Sequence, residues 1–317
     1  MKSSKDMSLV ADIGGTNTRV ALVHENTVRQ DSIKRFRNAE FSNLEVILKT
    51  YLDGHRVDVD AVCLAVAGPV QENRAQMTNL DWDIECQSIK AATNAYDVTI
   101  LNDLQAQGHA LDQLPADQLY QIAPGKSQHD GPKLVVGVGT GFNAALVVET
   151  EKGVVALASE CGHIQLPAAT DDQLALFKFI QADHGFCSVE DAVSGRGLVN
   201  IYRWMAQGTA NPDVTAKEIV EACDAGHKNP QAAAGKLFCK LLGHITGDLA
   251  LTQLPHGGLY FVGGVARAFT SHLIQFGFYD AFKDKGRFSE FMSHFQIFIV
   301  HDDFAALNGA ASYLSKR

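Results

Sequence analysis

The sequence predicts an α/β fold built from two related lobes, and three observations carry that prediction. Apolar strand-like runs alternate with amphipathic helical runs. A glycine turn follows the opening strand of each half. The chain has 317 residues, long for one hydrophobic core and comfortable for two. With 46% hydrophobic and 20% charged residues, it has the composition of an ordinary globular protein, which excludes disordered and fibrous classes.

Each element can be justified in order. Ser8–Gly14 is an apolar run closing on Gly14-Gly15 and reads as a buried strand and turn, with Thr18–His24 returning as its hairpin partner. Thr27–Phe36 reads as a third strand. Ser42–Leu52 reads as a helix capped by Ser42, with Leu44, Ile47 and Leu48 on one face. Asp60–Ala67 is a strand ended by Gly68-Pro69, and Asp97–Leu101 is another, followed at once by Asn102-Asp103 and a helix from Leu104 to about Leu114. The stretch Leu114–Gly131, with Pro115, Pro124, Gly125 and Gly131, reads as the crossing between lobes. The pattern then restarts. Lys133–Val138 turns on Gly139-Thr140-Gly141, and Ala144–Glu149 and Val154–Ala158 follow as strands. Helices occupy Asp171–His184, Gly197–Ala206, Thr215–Ala225 and Ala232–Gln253. Gly258–Gly263 and Gln296–Val300 are late strands, and Phe304–Leu314 is a closing helix. Ile13-Gly14-Gly15-Thr16 is thus answered by Val138-Gly139-Thr140-Gly141, which suggests a duplicated lobe and a cleft between the two copies.

The formal net charge is −9, and the one basic run, Lys34-Arg35-Phe36-Arg37, is too short to form a nucleic-acid face. Six cysteines are scattered with no C-x-x-C spacing, so neither a zinc cluster nor a disulfide framework is expected. The polar start, Met1–Ser8, does not read as a signal peptide, and no run approaches a membrane span. The expected setting is the cytoplasm, without a membrane or nucleic-acid partner.

Two turns and several carboxylates carry the chemistry. Bare N–H groups in glycine turns converge well on phosphate, and Asp12–Asn17 adds Thr16 and Asn17 as donors and Asp12 as a carboxylate for Mg²⁺. Taken alone, the run reads equally as a hairpin turn with a capping Asp. The second turn at 137–141 weights it towards phosphate. Other nucleotide motifs fail: Tyr120 stands where a P-loop ending in Gly125-Lys126-Ser127 needs its first glycine, and Phe142 stands where a dinucleotide fingerprint needs its third. Asp103 follows a strand end, where a carboxylate can accept a proton from a sugar hydroxyl as it attacks a phosphorus. Asn102 beside it could bond sugar hydroxyls. The spacing alone slightly favours a helix N-cap for this pair. Glu160, His163 and Glu190 supply acceptors suited to a polyol.

Taken in this order, Asp12–Thr16, Leu101-Asn102-Asp103, Gly139-Thr140-Gly141, Ser159-Glu160-Cys161-Gly162-His163, Ser194-Gly195-Arg196-Gly197-Leu198 and Gly263-Gly264-Val265 resemble the bacterial glucokinase family. Asp284–Phe288 and Val300-His301-Asp302 extend the resemblance over nearly the whole chain. It implies the two-lobed actin-like, hexokinase-like (ribonuclease H-like) fold, with residues 1–113 and 303–317 in a smaller lobe and 114–302 in a larger one. It implies an ATP-dependent kinase making glucose 6-phosphate, with Asp103 as catalytic base. Asn102, Asp103, Glu160, His163, Glu190 and Asn79 would bind glucose. Ala11, Asp12, Ile13, Gly14, Gly15, Thr16, Asn17, Gly139, Thr140, Gly141, Gly263 and Gly264 would bind ATP, with Mg²⁺ on Asp12 directly or through water. Relatives of this kind are usually homodimers. A sugar-sensing regulator of the same fold is a competing expectation, opposed by the eleven residues before Asp12, too few for a helix-turn-helix, and by the presence of Asp103. A kinase for another hexose or amino sugar is a third. The chain departs from the family pattern at Phe142-Asn143, where a second small glycine step is usual, at Cys161 in place of glycine, and at Arg196 in place of proline.

Overall fold

The computed structural model describes residues 7–77, 80–126, 131–208 and 213–316. Its contacts divide the chain into two compact units: Met1–Leu114 with Thr150–Ala158 and Asp302–Arg317, and Pro115–Glu149 with Ser159–His301.

Unit 1 opens with strands β1 (Met7–Ile13), β2 (Asn17–His24), β3 (Thr27–Val28) and β4 (Lys34–Arg37). Helix α1 (Leu44–His55) leads to β5 (Ala61–Val66). Then come β6 (Val70–Gln71), β7 (Arg74–Gln76), β8 (Asp83–Glu85), α2 (Cys86–Thr93), β9 (Asp97–Asn102) and α3 (Asp103–Ala110). The expected single strand over 27–36 is broken in two, because a one-turn helix at Gln30–Ser32 turns the chain between β3 and β4. The cap of α1 is Asn43, one residue later than expected, and it accepts from the Val46 N–H at 3.0 Å.

The main sheet of unit 1 runs β3-β2-β1-β5-β9, with β4 also on β2. β1, β5 and β9 are parallel. Buried parallel strands need apolar residues on both faces. In β1, Leu9, Ala11 and Ile13 face one core with Ile47, Leu48 and Tyr51 of α1. Val10 faces the other, together with Ala106 of α3 and Leu307 and Ala310 near the C-terminus. The C-terminal helix therefore completes the unit in which the chain began.

Unit 2 starts with β10 (Leu119–Ala123), β11 (Lys133–Val138) and β12 (Phe142–Thr150); the same sheet continues into β13 (Gly153–Ala158), whose residues group with unit 1. Four helices follow: α4 (Asp171–His184), α5 (Gly195–Met205), α6 (Ala216–Asp224) and α7 (Pro230–Gln253). Beyond β14 (Gly258–Val262) lie four short helices, α8 (Gly264–Ala268), α9 (Thr270–Gln275), α10 (Phe278–Lys283) and α11 (Ser289–Met292), and then β15 (Ile297–Val300). The last element is α12 (Ala305–Ser315), which belongs to unit 1. The sheet order is β10-β15-β14-β11-β12-β13.

The two sheets share one plan. In each, a hairpin (β1-β2, β11-β12) is followed outward by two parallel strands (β5 and β9, β14 and β15). The stretch read as a simple crossing, 114–131, contains β10, an edge strand antiparallel to β15; residues 127–130 of it lie outside the described residues. By its contacts, the ribbon Thr150–Ala158 belongs to unit 1, although the sequence-based division placed it in the second lobe. Gln105 Nε2 of α3 donates to the carbonyl of Ala156 at 2.8 Å, a pairing that no local pattern announces.

Candidate functional site

The parallel strands of unit 1 end in register. Ile13 pairs with Val66, and Val66 with Asn102. The turn after β1 and the Asp103 position after β9 therefore lie at one sheet edge, two strand spacings or about 10 Å apart. The Ala67 N–H donates to the Ile13 carbonyl at 3.0 Å. Asn102 Nδ2 donates to the Gly68 carbonyl at 3.2 Å. These bonds tie the three strand ends together.

The first turn is braced from below. The Gly14 N–H donates to the Asn17 carbonyl at 3.0 Å, closing the turn. Asn38 Nδ2 donates to the Gly14 carbonyl at 2.7 Å, the Asn38 N–H donates to the Thr16 carbonyl at 3.0 Å, and Thr18 Oγ1 donates to Asn38 Oδ1 at 2.8 Å. Thr16 is left exposed at the tip. Asp12 sits opposite Arg19 across the hairpin, and Arg19 Nη1 donates to Asp12 Oδ2 at 3.2 Å. Burial pushes the Asp12 carboxyl above its ordinary range, and Arg19 opposes that shift. Neither Asn38 nor Arg19 was singled out from the sequence. Arg19 was findable from hairpin register; Asn38, ending a charged run, was not.

Asn102 is the N-cap of α3. Its Oδ1 accepts from the Leu104 N–H at 3.0 Å, and Gln105 Oε1 accepts from the Asn102 N–H at 3.1 Å, completing a capping box. With the N3 backbone N–H also bonded to the Asn102 side chain, one amide hydrogen of that side chain has no partner among the described residues. Asp103 occupies the first helical position, half-buried, where the positive end of the helix favours a carboxylate. Asn79 lies outside the described residues.

Unit 2 repeats the turn with different chemistry. The Gly139 N–H donates to the Gly141 carbonyl and the Gly195 N–H to the Gly139 carbonyl, at 3.0 and 2.8 Å. Thr140 is exposed at the tip, as Thr16 is in unit 1. Gly137 pairs with Val262, so Gly263-Gly264 leaves β14 beside this turn. Gly263 has φ +103°, and a Cβ there would lie 2.5 Å from the Val138 carbonyl oxygen, so only glycine fits.

The carboxylates of unit 2 come from the segments after β13. Glu190 Oε2 accepts from the Phe142 N–H at 2.8 Å, while its other oxygen pairs with Arg196. A Cβ on Gly141 would come within 2.5 Å of Glu190 Oε2, so turn and carboxylate are in contact. Glu160 Oε2 accepts from Asn143 Nδ2 at 2.8 Å, and His163 Nε2 lies 4.0 Å from the same oxygen. The Glu160 and His163 side chains are 53% and 65% exposed, against 13% for Glu190, so the first two are open to a solute and the third works from beneath. Elsewhere in unit 2, an open cavity of about 930 Å³ is lined by Trp204, Met205, Lys228, Pro230 and Phe276 among others. It contains none of the residues singled out from the sequence.

The family model for glucokinase matches residues 9–317. The chain is 31% identical to the glucokinase of Erwinia tasmaniensis, over 97% of this chain and 96% of that protein. It is similar to the crystal structure of a glucokinase from an Antarctic psychrotroph, with a TM-score of 0.86, 32% identity, and coverage of 98% of this chain and 99% of that one. It also shares its fold with a ROK family glucokinase from Streptomyces griseus solved with glucose and AMPPNP, at 21% identity, a TM-score of 0.68, and coverage of 97% and 98%. A glycine turn closing each hairpin, a carboxylate at the helix start beside the first turn, and this whole-length likeness together place the chain in the glucokinase family.

Proposed function

We propose that this protein is an ATP-dependent glucokinase, moving the γ-phosphoryl group of ATP to the 6-hydroxyl of D-glucose. The observation that carries the mechanism is the shared sheet edge of the Asp12–Asn17 turn and Asp103. The O6–phosphorus bond forms as the bond from phosphorus to the β-γ bridging oxygen breaks. Asp103 takes the hydroxyl proton, ADP leaves, and glucose 6-phosphate remains. The N–H groups of both glycine turns, with Thr16 and Thr140, bind phosphate oxygens. Gly263-Gly264 lies on the adenosine side. Glu160, His163 and Glu190 accept from sugar hydroxyls, and Asn102 donates its remaining amide hydrogen.

Mg²⁺ fits this donor set. It is commonly bound through one or two carboxylates, waters and substrate phosphates rather than by a protein cage. Among the described residues no group of three or more His, Cys, Asp or Glu could hold a metal, so Asp12 serves as the single carboxylate anchor. When bound, the ion neutralises charge on the phosphates. A homodimer in the cytoplasm is the setting proposed from the family resemblance, and light scattering on the purified protein tests its assembly.

A coupled ADP-release assay over glucose, mannose, fructose, glucosamine and N-acetylglucosamine, repeated with ADP and polyphosphate as donors, tests the reading. The expected result is the highest kcat/KM for glucose with ATP. A higher value for an amino sugar or a different donor replaces the assignment.

A further inference from the structure

Phe142 and Asn143 begin β12, directly after the second glycine turn, and both reach a carboxylate assigned to sugar binding. The Phe142 backbone N–H holds Glu190, and the Asn143 side-chain amide holds Glu160. Asn143 is itself fixed on its other end. Its Oδ1 accepts from the Ala144 N–H at 2.9 Å and from Cys161 Sγ at 3.5 Å, while the Ser159 hydroxyl, 3.4 Å away, donates to the Ala144 carbonyl at 2.8 Å. The loop that carries Glu160 is bound to the segment that carries Glu190, since the Glu190 N–H donates to the Gly162 carbonyl at 2.8 Å. Consecutive residues leaving the phosphate turn thus grip one oxygen of each carboxylate.

We infer that Asn143 is a positioning residue for sugar recognition: its amide aims the Glu160 carboxylate and sets the discrimination among sugars made there. This rests on the reading of Glu160 as a sugar ligand. An exposed glutamate on a turn samples several rotamers, and each sugar hydroxyl it must meet selects one. A donor fixed from behind removes that search and leaves the second oxygen aimed outward. The donor is a neutral amide, so it adds no charge beside the carboxylate.

The test uses the full-length enzyme with Asn143→Ala, the isosteric Asn143→Asp, Glu160→Gln and the double variant Asn143→Ala/Glu160→Gln. Initial rates are measured against glucose, mannose and ATP, and glucose binding is measured by calorimetry. For Asn143→Ala, loss of one bond to a charged acceptor predicts a glucose KM raised roughly 10-fold or more, with kcat and the KM for ATP within about threefold. The preference for glucose over mannose should narrow. Asn143→Asp keeps the shape but faces Glu160 with a second carboxylate, so it should raise the glucose KM at least as far. In the double variant Asn143→Ala should add nothing to Glu160→Gln, because it acts through that residue. An unchanged glucose KM in both Asn143 variants, with Glu160→Gln impaired, overturns the inference and leaves the sugar site standing. Additive effects in the double variant also overturn it. Glucose binding unaffected by Glu160→Gln removes the sugar reading itself.

Discussion

The two hairpins of this protein are the same scaffold put to different chemical use. In unit 1, Asp12 faces Arg19 across the hairpin; in unit 2, the matching pair is Gly137 and Asn143. The first hairpin keeps an ionic pair at its mouth and holds its turn with Asn38. The second has no charge on its strands there and takes its carboxylates from loops after β13, Glu160 and Glu190. A duplicated sheet supplies two phosphate-sized turns at no cost in new fold. What each copy does is decided by the residue opposite the strand end. In the proposed mechanism, proton transfer falls to unit 1, and the carboxylates that meet sugar hydroxyls come from unit 2.

That division can be broken most sharply at Asp103. Asp103→Asn removes the proposed proton acceptor but keeps the size and the capping geometry. It should lower kcat by roughly 10²–10⁴-fold while glucose affinity, measured by calorimetry, stays near that of the parent. Near-normal turnover would show that unit 1 does not hold the base.

A smaller effect is expected at Arg19. Burial raises the Asp12 carboxyl and Arg19 lowers it, so Arg19→Met lets the raising influence act alone. In its proposed role as the Mg²⁺ anchor Asp12 must be ionised, and a higher pKa means protonation begins at higher pH. The acid limb of kcat/KM for ATP should therefore move to higher pH. Asn143→Ala should leave that limb in place. If both variants move it, the two hairpins do not divide the work as described.

The smallest effect concerns stability in unit 1 alone. His109 of α3 lies edge-on to Tyr313 of α12, with Nδ1 buried and lacking a hydrogen bond among the described residues. Burial, with a smaller contribution from Lys316, pushes it down to about 4. Between that value and its ordinary range near 6.5, the unfolded chain binds the proton and the folded one does not, so stability falls as pH drops through this window. His109→Gln should flatten the dependence of melting temperature on pH between 6.5 and 4. An unchanged slope would place the acid sensitivity elsewhere.

Much of the scaffold was legible because its signals are local. The apolar strands 8–13, 61–66 and 133–138 and their glycine turns stand out from neighbouring polar residues, and the duplication follows from comparing two short strings. Short edge pieces were not legible. β10 lies in a proline- and glycine-containing stretch and is a strand because β15 offers it an edge. At Asn102 local reasoning leaned only slightly to the cap, because cap and sugar ligand call for the same residue type; the structure shows the cap with one amide hydrogen to spare among the described residues.

The sequence by itself determined the α/β class, the two turns and which acidic residues follow strand ends, since these depend on neighbours within a few positions. The tertiary structure alone decided who holds whom. Asn143 reaches Glu160 across 17 positions, Asn38 reaches Gly14 across 24, and the Phe142 N–H reaches Glu190 across 48. A hydrogen bond operates over about 3 Å of space whatever the separation along the chain, so these partners exist only once the sheets have brought their strand ends together.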